Sequence, residues 1–210
     1  LCSMEFIPIC RSSVNVYEVR EWVLKTASEQ CKADQLLDGD MSISVNISGR
    51  VFNQPEMPTL LEKICEMSNV LPSSINLEIT ETTAMGKPEE AIDILKQLTS
   101  KGFTISIDDF GTGYSSFSYL TELPVNELKI DKSFLLSVNE NTNKVIKAMI
   151  DLAHLLNLKV VAEGVETKEL LEMLNEMNCD FAQGFYIAKP LPIKVLYQWL
   201  LGEDEKRANC

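Results

Sequence analysis

Histidine is nearly absent from the 210 residues: His154 is the only one. It sits in an apolar run, DLAHLLNLK, which argues against a histidine-built zinc site or a Ser/His/Asp triad. The six cysteines, Cys2, Cys10, Cys31, Cys65, Cys179 and Cys210, form no C-x-x-C pair. They read as free thiols in a reducing cytoplasm. No apolar run approaches the roughly 20 residues of a membrane span, and no signal peptide opens at Leu1. A cytoplasmic domain without membrane contact is expected, either alone or as part of a longer sensor protein. Basic charge is scarce too. The net charge of -12 argues against a DNA or RNA polymer as partner, which would call for a basic face. It leaves an anionic small ligand open, because carboxylates that gather cations reverse the local sign.

What is present is an alternation of strand-like and helix-like runs. An N-terminal helix is expected over Val16–Cys31, and a polar tail over residues 203–210. Strands are expected at Ser42–Ser48, Ile75–Glu81, Thr104–Phe110, Glu127–Asp131, Lys159–Glu163 and Phe181–Tyr186. Helices are expected at Met57–Ser68, Pro88–Ser100, Tyr114–Thr121, Asn143–Leu156, Thr167–Met177 and Ile193–Leu201. Pro88 followed by Glu89 and Glu90 suits a helix start, and Gly102 a helix stop. Repeated β-α units imply parallel strands in a single α/β domain of about 200 residues.

Strands covered on both faces normally read as unbroken apolar runs; these alternate. Ile43, Val45 and Ile47 interleave with Ser44, Asn46 and Ser48. Ile75, Leu77 and Ile79 interleave with Asn76, Glu78 and Thr80. Ile105 and Ile107 interleave with Ser106 and Asp108, and Leu128 and Ile130 with Glu127, Lys129 and Asp131. A period of two gathers each polar set on one face. In a TIM-like (β/α) barrel that face is the lumen, and its C-terminal strand tips form the catalytic mouth. An open sheet with one wetted face is the competing architecture. The tips would bring together Asn46, Glu78, Asp108, Asp109, Lys129, Asp131, Glu163 and Gln183. Converging carboxylates repel unless their pKa values rise or cations sit among them. Oxygen donors suit hard ions such as Mg²⁺ or Mn²⁺, and two such ions serve phosphodiester hydrolysis.

The runs SVNIS, LEITE, IDDFGTGYSS, LKIDKSF, VVAEGVE and AQGFYIAKPLP, in that order, resemble the EAL family of cyclic di-GMP phosphodiesterases, with EFIP at Glu5–Pro8 preceding them. The resemblance implies a hydrolase that opens cyclic di-GMP to linear pGpG with two Mg²⁺ or Mn²⁺ ions. It implies Asn46, Glu78, Asp108 and Asp109 as metal ligands. Lys129, Glu163 and Asp109 would be catalytic, and Gln183 and Asp131 would contact substrate. Glu81 would steady the loop of Gly111, Thr112 and Gly113, with Glu166 anchoring the loop beside it. The family further implies a homodimer, with contacts through an exposed helix around Pro124 to Phe134, and upstream sensory or regulatory domains. The family's Glu-Ala-Leu run and its strand do not occur in this sequence. Six strands against the usual eight point to a barrel whose first strands are missing from the sequence. An inactive cyclic di-GMP receptor, and a barrel enzyme acting on another phosphoester or a carbon acid, are the rival functions.

Overall fold

The computed structural model describes residues 25–27, 29–30, 41–113 and 117–201. The expected helix at Val16–Cys31 falls largely outside these residues. The EFIP run, the 203–210 tail, and Cys2, Cys10, Cys31 and Cys210 lie wholly outside them.

Six strands form one curled parallel sheet in sequential order: β1 (Ile43–Ile47), β2 (Ile75–Thr80), β3 (Thr104–Phe110), β4 (Glu127–Ile130), β5 (Lys159–Glu163) and β6 (Phe181–Gln183). Each strand pairs with its predecessor, which is the order of a TIM-like barrel wall; a doubly wound sheet reverses direction at a switch point. Helices α1 (Gly49–Phe52), α2 (Met57–Ser68), α3 (Glu81–Gly86), α4 (Pro88–Ser100), α5 (Phe117–Leu120), α6 (Lys132–Leu136), α7 (Glu140–Leu155), α8 (Lys168–Glu176) and α9 (Ile193–Leu201) fill the connections.

Local chemistry accounts for the long helices. Pro88 occupies the first turn of α4, with Glu89 and Glu90 facing its positive end. The Asn139 side chain accepts from the Asn141 and Thr142 amides and caps α7. Thr167 caps α8 in the same way. Asn69 ends α2 in the left-handed region at φ 50°. The apolar half of β2 to β5 is buried with these helices: Ile75, Leu77, Ile105, Ile107, Leu128, Ile130 and Val160 are fully inside with Leu95, Leu98, Ile146 and Ile150. Each such side chain stabilises the fold by about 1.5–3 kcal/mol through removal from water.

Several expectations are corrected. Residues 124–134 are not a helix: β4 occupies Glu127–Ile130, and only Lys132–Leu136 coils. The second strand stops at Thr80, whose hydroxyl accepts from the Thr83 amide and turns the chain into α3. The last strand ends at Gln183, because the chain then turns, with the Ile187 amide bonded to the Gly184 carbonyl. The one-turn helices α1, α3 and α6 are too short to show a helical period in the sequence. Cys65 and Cys179 are free thiols. Among the described residues, no helix is long and apolar enough to cross a membrane.

At the end opposite the strand tips, Asp180 clamps three elements. Its Oδ1 accepts from Lys159 Nζ at 2.6 Å, and its Oδ2 accepts from the Val160 amide at 3.0 Å. His154 Nε2 lies 2.8 Å from the same Oδ2. Burial pushes the carboxyl upward, but the bonds from Lys159, His154 and Val160 outweigh it and hold the group below the usual range. A depressed folded pKa gives stability that is complete above the unfolded value of about 3.9 and is lost as pH falls through the folded value. Asp180→Ala is expected to lose about 1–3 kcal/mol at neutral pH, and less of its remaining stability on acidification than the parent. Denaturant titrations across the acid range check both.

Candidate active site

The lumen face of the first four strands carries two storeys of polar side chains. The lower storey is Ser44, Asn76, Ser106 and Glu127, one from each strand. Asn76 Nδ2 reaches Ser44 Oγ at 3.1 Å and Ser106 Oγ at 2.7 Å. Ser106 Oγ donates to Glu127 Oε1 at 2.7 Å. The upper storey, two residues further along each strand, is Asn46, Glu78, Asp108 and Lys129, joined by Glu163 from the tip of β5. Asn46 Nδ2 donates to Glu78 Oε2 at 2.9 Å. The alternation seen in the sequence becomes this stack because side chains two apart share a face: β1 and β2 place Ser44 beside Asn76 and Asn46 beside Glu78, and β3 is staggered to bring Ser106 beside Glu78.

Lys129 is the centre of the upper storey, only 3% exposed. Its Nζ lies 2.8 Å from Glu78 Oε1, 2.5 Å from Glu163 Oε1 and 3.5 Å from Asp108 Oδ1. Burial alone lowers its pKa, but the hydrogen bonds from the ammonium to Glu163 and Glu78, with their charges, drive it well above the lysine norm. The ammonium form is thereby favoured, and it donates to Glu78 and Glu163. Glu163 is held above the usual carboxylate range: burial and the charges of Asp108 and Glu78 push it up, against the pull of Lys129.

Asp109 answers a question that strict alternation leaves open. Neighbours on a strand face opposite sides, yet Asp109 feels the charges of Asp108, Asp131 and Lys129: burial and the two acids push its carboxyl upward, against the pull of Lys129 and Lys132. The β3–β4 register slips between Ile107 and Phe110, and Asp109 adopts φ 56°. Three residues of β3 thus span what two of β4 span, which is a bulge, and bulges re-aim side chains beside active sites. The Asp109 carbonyl accepts from Thr112 Oγ1 at 2.8 Å. Buried Glu81, 2% exposed, accepts the Gly111 amide on Oε2 at 2.9 Å. Gly111 stands at φ 91°, where a Cβ would meet Met149 Cε at 2.8 Å and Phe134 Cζ at 2.9 Å, so no larger residue fits. A Cβ at Gly113 would meet Glu81 Oε1 at 2.8 Å.

The other sequence candidates are spread around the rim. Asp131 caps α6, its Oδ1 accepting from the Ser133 amide at 2.9 Å. Partial burial pushes its carboxyl upward, but the bonds from Ser133 and Lys132 prevail and lower its pKa. Gln183 pairs with Glu163 at the tip of β6 and is exposed. Glu166 is exposed in the loop after β5. Sequence reasoning did not single out the lower storey as part of the site, and it did not find the bulge.

The donor set is oxygen-only, and four carboxylates (Glu78, Asp108, Asp109 and Glu163) face one ammonium. This composition fits a hard divalent cation. Among the described residues, no three acids, histidines or cysteines stand at metal-holding spacing; the carboxylates gather on Lys129 instead.

A family model described as the EAL domain matches residues 2–190. This chain belongs to the EAL domain family. The EAL domain here is 39% identical over 197 residues to the bifunctional diguanylate cyclase/cyclic di-GMP phosphodiesterase MucR of Pseudomonas aeruginosa, covering 91% of this chain and 28% of that protein. It is 33% identical to the signaling protein YkoW of Bacillus subtilis, covering 96% of this chain and 26% of that protein. Among solved structures, the PaMucR phosphodiesterase in complex with c-di-GMP superposes with a TM-score of 0.87 at 38% identity, over 93% of this chain and 81% of that one. The EAL domain thus spans about a quarter of the length of the curated relatives it matches.

Lys129→Met tests the electrostatic account without reference to turnover. It leaves Glu78, Asp108 and Glu163 without their cation, and the expected loss is about 3–5 kcal/mol at neutral pH. The loss is expected to shrink as pH falls and those carboxyls take up protons, and also on adding Mg²⁺. Thermal melts over a pH series with and without Mg²⁺ read both effects.

Proposed function

We propose that this EAL domain hydrolyses one phosphodiester of cyclic di-GMP to linear pGpG. The observation that carries the reading is Lys129, a buried ammonium held among Glu78, Asp108 and Glu163 at the mouth of the barrel wall. The names of MucR and of the PaMucR complex support the substrate.

Asn46, Glu78, Asp108 and Asp109 would hold two divalent ions, Mg²⁺ or Mn²⁺, each through oxygen. The ions, when bound, neutralise phosphate charge and acidify water at neutral pH. Lys129 keeps its proton, so it donates a hydrogen bond that orients the attacking water and stabilises charge on the phosphoryl oxygens. Glu163, raised toward neutrality, is suited to take the water's proton. A P–O bond forms to the water oxygen as the bond to the 3′ oxygen breaks, and a proton passes to that 3′ oxygen. The product carries a 5′-phosphate and a free 3′-hydroxyl. Gln183 and Asp131 at the rim would contact the guanine halves, and Glu81 and Glu166 would hold the neighbouring loops. On the same reading the domain works in the cytoplasm as a homodimer, as the output part of a longer sensory protein, in keeping with relatives about four times its length.

Chromatography of cyclic di-GMP incubated with the protein and Mg²⁺ or Mn²⁺ tests this. Conversion to pGpG is expected, falling on the order of 10²-fold or more in Asp108→Ala or Lys129→Ala. The rate should rise with pH as Glu163 ionises, and Glu163→Gln should flatten that limb. Micromolar binding without turnover would replace the enzyme with a receptor.

A further inference from the structure

The lower storey of the lumen has no part in the chemistry just described, yet it contains a titratable group. Glu127 points into the lumen from β4, two residues before Lys129 and on the same face. Its partners are Ser106, fully buried, and Asn76, 7% exposed. Its side chain is half-buried and its carboxylate accepts from both, which gives it a structural task on the lumen face.

The register of the strands identifies it. Ser106 and Glu127 are opposite one another in the β3–β4 ladder, and Ile107 with Leu128 is the last regular pair before the slip at Phe110. The bulge falls where Asp108 and Asp109 must emerge opposite Lys129. Above it the pairing resumes at Phe110 with Ile130, β3 having used one residue more than β4. Below it, the Ser106–Glu127 bond at 2.7 Å, braced through Asn76 to Ser44, ties the two strands side chain to side chain.

We propose that Glu127 is a positioning residue: through Ser106 and Asn76 it sets the stagger of the strands that deliver Asn46, Glu78, Asp108 and Lys129, and thereby the spacing of the oxygens that take the divalent ions. The inference rests on the metal-dependent reading above, but its test does not need turnover.

Glu127→Met discriminates, because it does not orphan Ser106, whose hydroxyl can donate instead to Asn76 Oδ1 at 3.0 Å. The variant should fold with a melting temperature equal to or above that of the parent. Its Mn²⁺ affinity, measured by calorimetry on the full chain, should fall about tenfold, in line with the effect of outer-sphere partners on metal sites. Its kcat should fall by a similar factor with KM within about twofold. Glu127→Gln, which can still accept from Ser106 through its amide oxygen, should restore both to within about threefold of the parent. A folded Glu127→Met protein with Mn²⁺ affinity and kcat within twofold of the parent would overturn the proposal. So would Glu127→Gln losing as much as Glu127→Met, since the charge and not the bond would then matter. A parent that binds Mn²⁺ but turns over no cyclic di-GMP would sink the functional reading while leaving the calorimetric test intact.

Discussion

Three carboxylates and one ammonium share the mouth of this barrel wall. Lys129 reaches Glu78, Glu163 and Asp108 from a position closed to water. Burial works against the ammonium, and its hydrogen bonds to Glu163 and Glu78 outweigh that effect. The tips of β2, β3, β4 and β5 are thereby drawn to one point, with three acids gathered on one cation. Those contacts raise the Lys129 pKa, whereas Glu163 is raised by burial and by the charges of Asp108 and Glu78, against the pull of Lys129.

Everything around this centre serves its geometry. The lower storey ties β1 through β4 by side chains. The bulge at Asp109 turns a second acid toward the mouth, and Glu81 fastens the following loop by the Gly111 amide. Glu81 begins α3 immediately after Thr80 caps it, so the support for β3's loop comes from the end of β2. The two strands that carry Glu78 and Asp108 are therefore braced against each other both below and above the site.

Much of this was legible in the sequence. The period of two in Ser44–Ile47, Asn76–Thr80 and Glu127–Ile130 gave a polar lumen, because alternation needs only local geometry. Helices α2, α4 and α9 fall where periodicity and Pro88 put them. What escaped depends on relations between strands. The bulge at Asp109 is a mismatch between β3 and β4, and no window on β3 alone contains it. The link from Ser106 to Glu127 joins residues 21 apart, and it appears only when the register is known. The helix that the resemblance implied around Pro124–Phe134 competed with the strand that alternation puts at Glu127–Asp131, and alternation was the better physical signal. The family's motif residues were recognisable as types, but that Lys129 would sit at hydrogen-bond distance from two acids at once is a fact of the third dimension.

The most direct test of the account is where a divalent ion binds. Crystals grown with Mn²⁺ and measured for anomalous scattering would locate it. The account predicts a peak about 2.1–2.2 Å from oxygens of Glu78 and Asp108, with Lys129 Nζ retained beside it as a hydrogen-bond donor. A saturating concentration that gives no peak at these residues, or a peak held elsewhere with the Lys129 contacts unchanged, would contradict it.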